Sequence, residues 1–364
     1  MAAQPCQIAK RLANQYNLIV AHPKQDMISL PTIHKNKPRT VISTGVLTTR
    51  KYPKTASGFK GELDAIVGGV ILEIETKTNK VFWRFVQSNH DGSFYDIGKH
   101  YTPDGEVKSI IPDYLYIGDT HPGFTEESAF QGTVDMARSL KIKEMGGGDW
   151  FDAYSISHHH KNNINVKVHK QERYDKLRTL KDELNNLGEE LTRWTDELPN
   201  IVIDIIQSNH NEHLDRYLYE QRFFDDALNY RTSLELAAAY LDDLNPIKYW
   251  VEKHYPNLNG KINWLTRDTI KRVSKKNILV SQHGDRGPNG SKSSNENAEW
   301  SFQDCVLGHT HSPSVLRGVF RVGTLALNME YLSGPSSWQV MNCIIYPNGA
   351  RQMIWIDEKG RWHL

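Results

Sequence analysis

Cysteine is scarce in this 364-residue chain, confined to Cys6, Cys305 and Cys343. Three scattered thiols make neither a disulfide framework nor a thiolate zinc site, so a reducing compartment, the cytoplasm, is expected. No apolar run approaches the ~20 residues of a membrane span, and no membrane partner is expected. The opening stretch MAAQPCQIAKRLANQYNLIVAHPKQD lacks the apolar core of a secretory signal. A strong charge of either sign is missing too. Lys and Arg number 44 against 43 Asp and Glu, a formal net charge of +1, so bulk electrostatics announce no nucleic-acid partner. There is no internal repeat, and the only biased stretch is the polar loop GDRGPNGSKSSNENAE. A hydrophobic content of 38% suits a globular protein with a sizeable core. The length fits two domains, or one large α/β domain with an appendage.

Charge is nevertheless uneven. Pro31 to Lys60 holds seven Lys or Arg and no acid, with Tyr52 and Phe59 among them. Thr266 to Lys292 holds seven more, against Asp268 and Asp285. Such stripes either contact phosphates or form an ordinary solvated surface.

The pattern changes near residue 110. Before it, a short helix over Ile8 to Tyr16 leads into the apolar or alternating runs TVISTGVLTT, LDAIVGGVILEIE and KVFWRFVQ. The last two read as a hairpin turning near Lys77 to Asn79. Residues 1–110 are therefore expected to form a smaller β-rich N-terminal domain, and 111–364 an α/β domain of strands alternating with helices. A helix is expected over Thr125 to Leu140 with Thr125 as its N-cap. Another follows in QERYDKLRTLKDELNNLGEELTRWTDEL, where Tyr174, Leu177, Leu180, Leu184, Leu187, Leu191 and Trp194 make one apolar stripe that packs on the sheet or joins subunits. A further helical stretch covers Leu214 to Leu241, and Pro347-Asn348-Gly349 turns between two C-terminal strands.

Ligand-type residues recur just past the apolar strands. They are Asp119 and His121 in YLYIGDTH, Asp149 in GGGDWFD, Asn209 and His210 in IVIDIIQSNH, His283 in NILVSQHGD, and His309 and His311 in CVLGHTH. Singly, each is as well read as a helix cap or a satisfied buried side chain. Together they lie where the carboxyl ends of strands share one edge of a sheet, so their loops can converge. Two divalent ions about 3.5–4 Å apart need a bridging group, and Asp149 can bridge. Imidazoles with few carboxylates suit Mn²⁺, Fe²⁺ or Zn²⁺ better than calcium, and Mg²⁺ prefers more oxygen.

The order Asp-x-His, Gly-Asp-x-x-Asp, Asn-His, His, Gly-His-x-His resembles the calcineurin-like metallophosphoesterase superfamily over about 111–332. That resemblance implies a β-sandwich flanked by helices. It implies one metal on Asp119, His121, Asp149 and His311, and a second on Asp149, Asn209, His283 and His309, with Mn²⁺ first among the candidates and Fe²⁺, Zn²⁺ or Mg²⁺ behind it. It assigns His210 to the leaving group and Asp152 to an orienting role. Ser208 and Asn211 stand where the family has glycine and an acid, leaving Asp215 or Glu212 to orient His210. His158-His159-His160 is either a solvated loop or a phosphate contact.

Wider stretches, among them GHTHSPSVLRGVFRVGTLALNMEYLSGPSSWQVMNCIIYPNG, resemble phage-encoded metallophosphoesterases related to pre-early DNA-degrading and DNA-transfer nucleases. The implied function is a dimetal DNase acting on DNA in the host cytoplasm. A small-nucleotide phosphatase or phosphodiesterase is the alternative enzyme, and a non-catalytic scaffold the alternative outside enzymes. The striped helix and the N-terminal region each offer a surface for a homo-oligomer.

Overall fold

The structure, a computed structural model, describes residues 4–14, 16–33, 39–49, 51–157, 179–329 and 332–364. Its fold is mixed α/β. One sheet has six strands in the spatial order Ile262–Leu265, Val202–Ile206, Glu144–Gly147, Tyr114–Tyr116, Met341–Ile345, Arg351–Trp355. The first four are parallel and the last two antiparallel. The central strands are mostly apolar because both faces are covered, with Asp204 and Asn342 as buried polar exceptions. Leu115 and Ile203 join a core shared with the helices, whereas Tyr114, Tyr116 and Ile206 join a core shared with the second sheet.

That second sheet has eight strands, in the order Leu18–Val20, Arg39–Thr44, Gln25–Leu30, Ser314–Leu316, Val319–Arg321, Cys305–Leu307, Ile278–Leu279, Arg272–Val273. Helix Pro5–Ala13 and helix Asn295–Phe302 cover its outer face, through Val41 with Cys6 and Ala9, and through Leu307 with Ala298. The layers therefore run helix, sheet, sheet, helix.

The change of pattern near residue 110 does not separate two bodies. Strand Gln25–Leu30 pairs antiparallel with Ser314–Leu316, joining residues almost three hundred positions apart. The hairpin Gly68–Glu75 with Lys80–Gln87 packs on the C-terminal strand, with the Phe82 and Trp355 rings 5.4 Å apart. Its turn falls where expected, with Asn79 left-handed at φ 54°. Burial is the reason for the merger: Met27 and Ile42 complete the core between the sheets and would otherwise face water.

Three helix expectations need correction. Thr125 is not the cap of helix Glu127–Ser139; Glu126 holds that position without a side-chain bond, and Thr125 Oγ1 donates to the Thr120 carbonyl. The Leu214 to Leu241 stretch is broken into Asn209–Tyr219, a short 3-10 turn Arg222–Asp225 and Tyr230–Leu241, with Gln221 left-handed at the break. The N-terminal helix ends at Ala13 rather than at Tyr16. The striped helix is described from Leu180 to Glu197, opening with a Thr179–Asp182 capping box. Leu180, Leu184, Leu187, Leu191 and Trp194 are buried against the sheet, as the stripe required; Tyr174 and Leu177 lie outside the described residues.

Candidate metal centre

The first three parallel strands to matter, Tyr114–Tyr116, Glu144–Gly147 and Val202–Ile206, deliver Asp119, Asp149 and Asn209 beyond their carboxyl ends. The facing sheet delivers His283 after Ile278–Leu279, and His309 and His311 after Cys305–Leu307. The two edges are stitched together at Asp119, whose N–H donates to the Gly323 carbonyl and whose own carbonyl accepts from Leu325 N–H.

The side chains meet. His121 Nε2 lies 3.1 Å from His311 Nε2 and 3.3 Å from Asp149 Oδ2. His311 Nε2 lies 3.4 Å from Asp119 Oδ2. Ligands about 2.1 Å from one ion stand roughly 3–3.5 Å from each other, so these separations match the edges of a coordination shell. The other oxygen of Asp149, Oδ1, faces His283 Nε2 at 3.4 Å, and the His283 and His309 rings are 5.2 Å apart. One carboxylate thus divides its oxygens between two groups of imidazoles, the disposition a bridging ligand needs.

The donors also have spare capacity. Among the described residues, Asp119 Oδ1, Asp149 Oδ1, Asn209 Oδ1 and both His283 nitrogens are buried without a hydrogen-bond partner. A buried polar atom left unpaired costs on the order of 1–3 kcal/mol, and finding several at one place calls for a ligand that satisfies them together. Buried His and Asp clusters here can hold metal ions: Asp119, Asp149 and His311 form one compact group, and His121, Asp149 and His210 another.

Strain is concentrated at the same place. His121, Asp149, His309 and His311 are left-handed, with φ of 47°, 52°, 75° and 56°, as is Ala153 at 58°. Each costs roughly 1 kcal/mol in a non-glycine residue. Two glycines permit the close approach. A Cβ on Gly148 would stand 2.1 Å from His283 Nδ1, and one on Gly308 would stand 2.2 Å from Asp119 Oδ1.

Electrostatics follow from burial and proximity. Burial pushes His283 down to about 3 and His311 down to about 4, and it lowers His309 as well. These rings are therefore neutral, the form that binds a metal. Burial also disfavours a charged His121, but Asp149 and Asp152 outweigh it and raise the ring to about 10. Burial and the neighbouring Asp149 raise Asp119. Asp149 is driven the other way, because His283, His210 and His121 together overcome its burial.

Asp152 serves two imidazoles. Its Oδ1 lies 2.7 Å from His121 Nδ1, which leaves Nε2 of that ring for the cluster. Its carbonyl is 2.8 Å from His210 Nδ1, and its Oδ1 is 3.3 Å from the same atom. Neither alternative orienter of His210 is used: Glu212 pairs with Arg267 and Arg286, and Asp215 makes no hydrogen bond to His210 among the described residues. Ser208 and Asn211, the departures from the family pattern, form a capping box at the start of helix Asn209–Tyr219 and so fix both Asn209 and His210.

Three contributors escaped sequence reasoning. Arg321 is buried beneath the ligand loops, and Nη1 donates to the carbonyls of Gly284 and Gly308. Glu183 is buried on the striped helix and accepts from Tyr154 N–H, Ser155 N–H and Ser155 Oγ, holding the turn after Asp152. Trp338 stands edge-on to His311, with centroids 4.3 Å apart. Only glycine beside Asp149 and His309 was visible as a signal; the arginine and the glutamate carry no local motif.

Three of the seven cations of the second basic stripe are held in ion pairs. Arg267 binds Asp285 and Glu212, Lys271 binds Glu144 and Asp204, and Arg286 binds Glu212. Lys275, Lys276 and Lys292 remain exposed. In the first stripe, 34–38 and Arg50 lie outside the described residues, as does His158-His159-His160.

No family model matches the chain, and no solved structure matches it. The chain is 27% identical over 360 residues to Protein A1 of Escherichia phage T5, covering 94% of this chain and 63% of that protein. It therefore spans less than two thirds of this relative's length. Among the described residues, no helix is long and apolar enough to cross a membrane.

Proposed function

We propose that the chain is a phage-encoded, dimetal-dependent phosphoesterase of the calcineurin-like type, acting as a DNA nuclease. The observation that carries the metal reading is the division of Asp149, one oxygen toward His121 and His311 and the other toward His283. Asp119, His121, Asp149 and His311 would hold one ion, and Asp149, Asn209, His283 and His309 the other. Mn²⁺ fits this mixture of imidazole, carboxamide and carboxylate well. Two bound ions would supply a nucleophile at neutral pH and polarise the phosphoryl group.

The chain's own residues supply the rest. With Nδ1 bonded to the Asp152 carbonyl, the His210 ring is held in one orientation. In its doubly protonated form it donates from Nε2 to the leaving oxygen. Asp152 is a positioning residue for both His121 and His210. Only two carboxylates, Asp119 and Asp149, belong to the ligand set, and the buried Arg321 adds positive charge beneath it. Two divalent ions there are under-neutralised, which favours an anionic substrate such as a phosphodiester. The resemblance to phage DNA-degrading enzymes supports DNA as that substrate, and the similarity to a phage protein supports a phage origin.

One observation favours a second reading. The ion pairing of Arg267 and Lys271 removes two of the second stripe's cations as contacts for DNA, which suits a small nucleotide phosphoester. Hydrolysis of DNA and of bis(p-nitrophenyl) phosphate in Mn²⁺ separates the two. Cleavage of both supports the nuclease; cleavage of the ester alone supports the small-molecule enzyme.

A further inference from the structure

We propose that the hairpin Asp285–Ser293 is a clamp for the phosphate backbone of a polynucleotide, with Arg286 and Lys292 as its cations and Arg321 holding it in register with the ligand loops. This rests on the nuclease reading and names the surface that distinguishes a polymer from a single nucleotide.

The hairpin is ordered by its own backbone. Arg286 and Lys292 are antiparallel bridge partners, Gly287 N–H donates to the Ser291 carbonyl, and Ser293 N–H donates to the Asp285 carbonyl. The tip, Pro288–Gly290, turns through Asn289 at φ 55°. Directly opposed residues on two antiparallel strands project from the same face, and like charges so placed repel by a few tenths of a kcal/mol to about 1 kcal/mol. Glu212 already offsets part of that cost at Arg286, and an anion between the two side chains would offset the rest. Arg286 is steadied from one side by Glu212, a carboxylate that also serves Arg267. Lys292 is exposed and has no carboxylate partner among the described residues.

Arg321 fixes where these cations stand. It is 2% exposed, and its partners are all neutral: the carbonyls of Gly284 and Gly308 at 3.0 and 3.2 Å, Ser293 Oγ at 2.6 Å and Asn295 Oδ1 at 2.6 Å. Gly284 follows His283, Gly308 precedes His309, and Ser293 closes the hairpin. A buried guanidinium usually meets a carboxylate; this one spends its donors tying two ligand loops to the base of the hairpin. Phosphates recur every ~3.4 Å of axis along one strand, so a polymer with one phosphate at the ligand cluster has further phosphates for side chains rooted a few residues from His283. A mononucleotide or an aryl ester has none.

The test compares wild type with the double variant Arg286→Ala, Lys292→Ala on linear DNA and on bis(p-nitrophenyl) phosphate, in Mn²⁺ over 50–200 mM salt. The ratio of DNA to ester activity should fall on the order of tenfold at ~0.1 M salt, and the salt slope for DNA should shrink by about 2. An unmoved ratio with DNA still cleaved overturns the clamp and leaves the nuclease standing. Ester hydrolysis with no DNA cleavage by the wild type overturns the nuclease reading and the clamp with it. Arg321→Lys keeps the charge but cannot reach all four acceptors, so it should lower Mn²⁺ affinity and both activities together. Unchanged Mn²⁺ binding in that variant overturns the register role.

Discussion

The two sides of the ligand cluster are built differently. On the His121 side the polar atoms serve one another: His121 binds Asp152, its Nε2 meets His311, and Asp119 Oδ2 accepts from His309 N–H at 2.6 Å. On the His283 side fewer do: both His283 nitrogens, Asn209 Oδ1, Asp119 Oδ1 and Asp149 Oδ1 are buried without a hydrogen bond among the described residues, against His311 Nδ1 alone of the imidazole nitrogens on the first side. The first side is held by the chain itself. The second leaves more donor capacity open among the described residues, and its open atoms are all oxygens and imidazole nitrogens, a donor set that suits a divalent transition metal.

The largest test of this difference is Asp149→Asn, which spoils the group shared by both sides. Hydrolysis should fall by about three orders of magnitude, the scale of losing a charged group at a reacting centre. Thermal unfolding of the metal-free protein should change little. Replacing His210 with Ala comes next: the rate should drop by roughly 10²–10⁴ while metal content per chain holds. Loss of metal in that variant would make His210 a ligand and redraw the His121 side.

Gly148→Ala sharpens the contrast between the sides. Its Cβ would strike His283, standing 2.1 Å from Nδ1, so metal bound per chain should fall by about half, read by elemental analysis. Loss of all metal would mean the His121 side cannot hold an ion alone. The smallest effect belongs to Glu183, whose carboxyl is raised to about 7 by burial and by Asp152. Its folded value lies above its unfolded one, so the proton it keeps favours the folded state fully below about pH 4.5. That contribution is lost as pH rises through 7, by up to about 3 kcal/mol. The pH dependence of the melting temperature over this window should flatten in Glu183→Gln; an unchanged slope would assign it to another group.

Much of the polar cluster could be read from sequence as a place where side chains converge, because its members sit directly after apolar strands, where a sheet edge gathers them. Asp119, His121, Asp149, His283, His309 and His311 all meet in space for that reason. What stayed hidden depends on contacts between distant segments. The pairing of Gln25–Leu30 with Ser314–Leu316 carries no signal in either strand, so the N-terminal β region read as a separate domain. The sharing of Asp152 between two histidines, and the carbonyl partners of Arg321, likewise arise only when loops from different strands converge. The basic stripe from Thr266 looked available because its acids, Glu144, Asp204 and Glu212, come from elsewhere in the chain.

The most direct test is cleavage of supercoiled and linear DNA in Mn²⁺ by the wild-type protein, with Asp149→Asn beside it and bis(p-nitrophenyl) phosphate in parallel. The account predicts that both DNA and ester are hydrolysed, that chelation stops both, and that Asp149→Asn loses about three orders of magnitude on either. Undiminished hydrolysis by Asp149→Asn, or no metal-dependent hydrolysis of either substrate by the wild type, would contradict it.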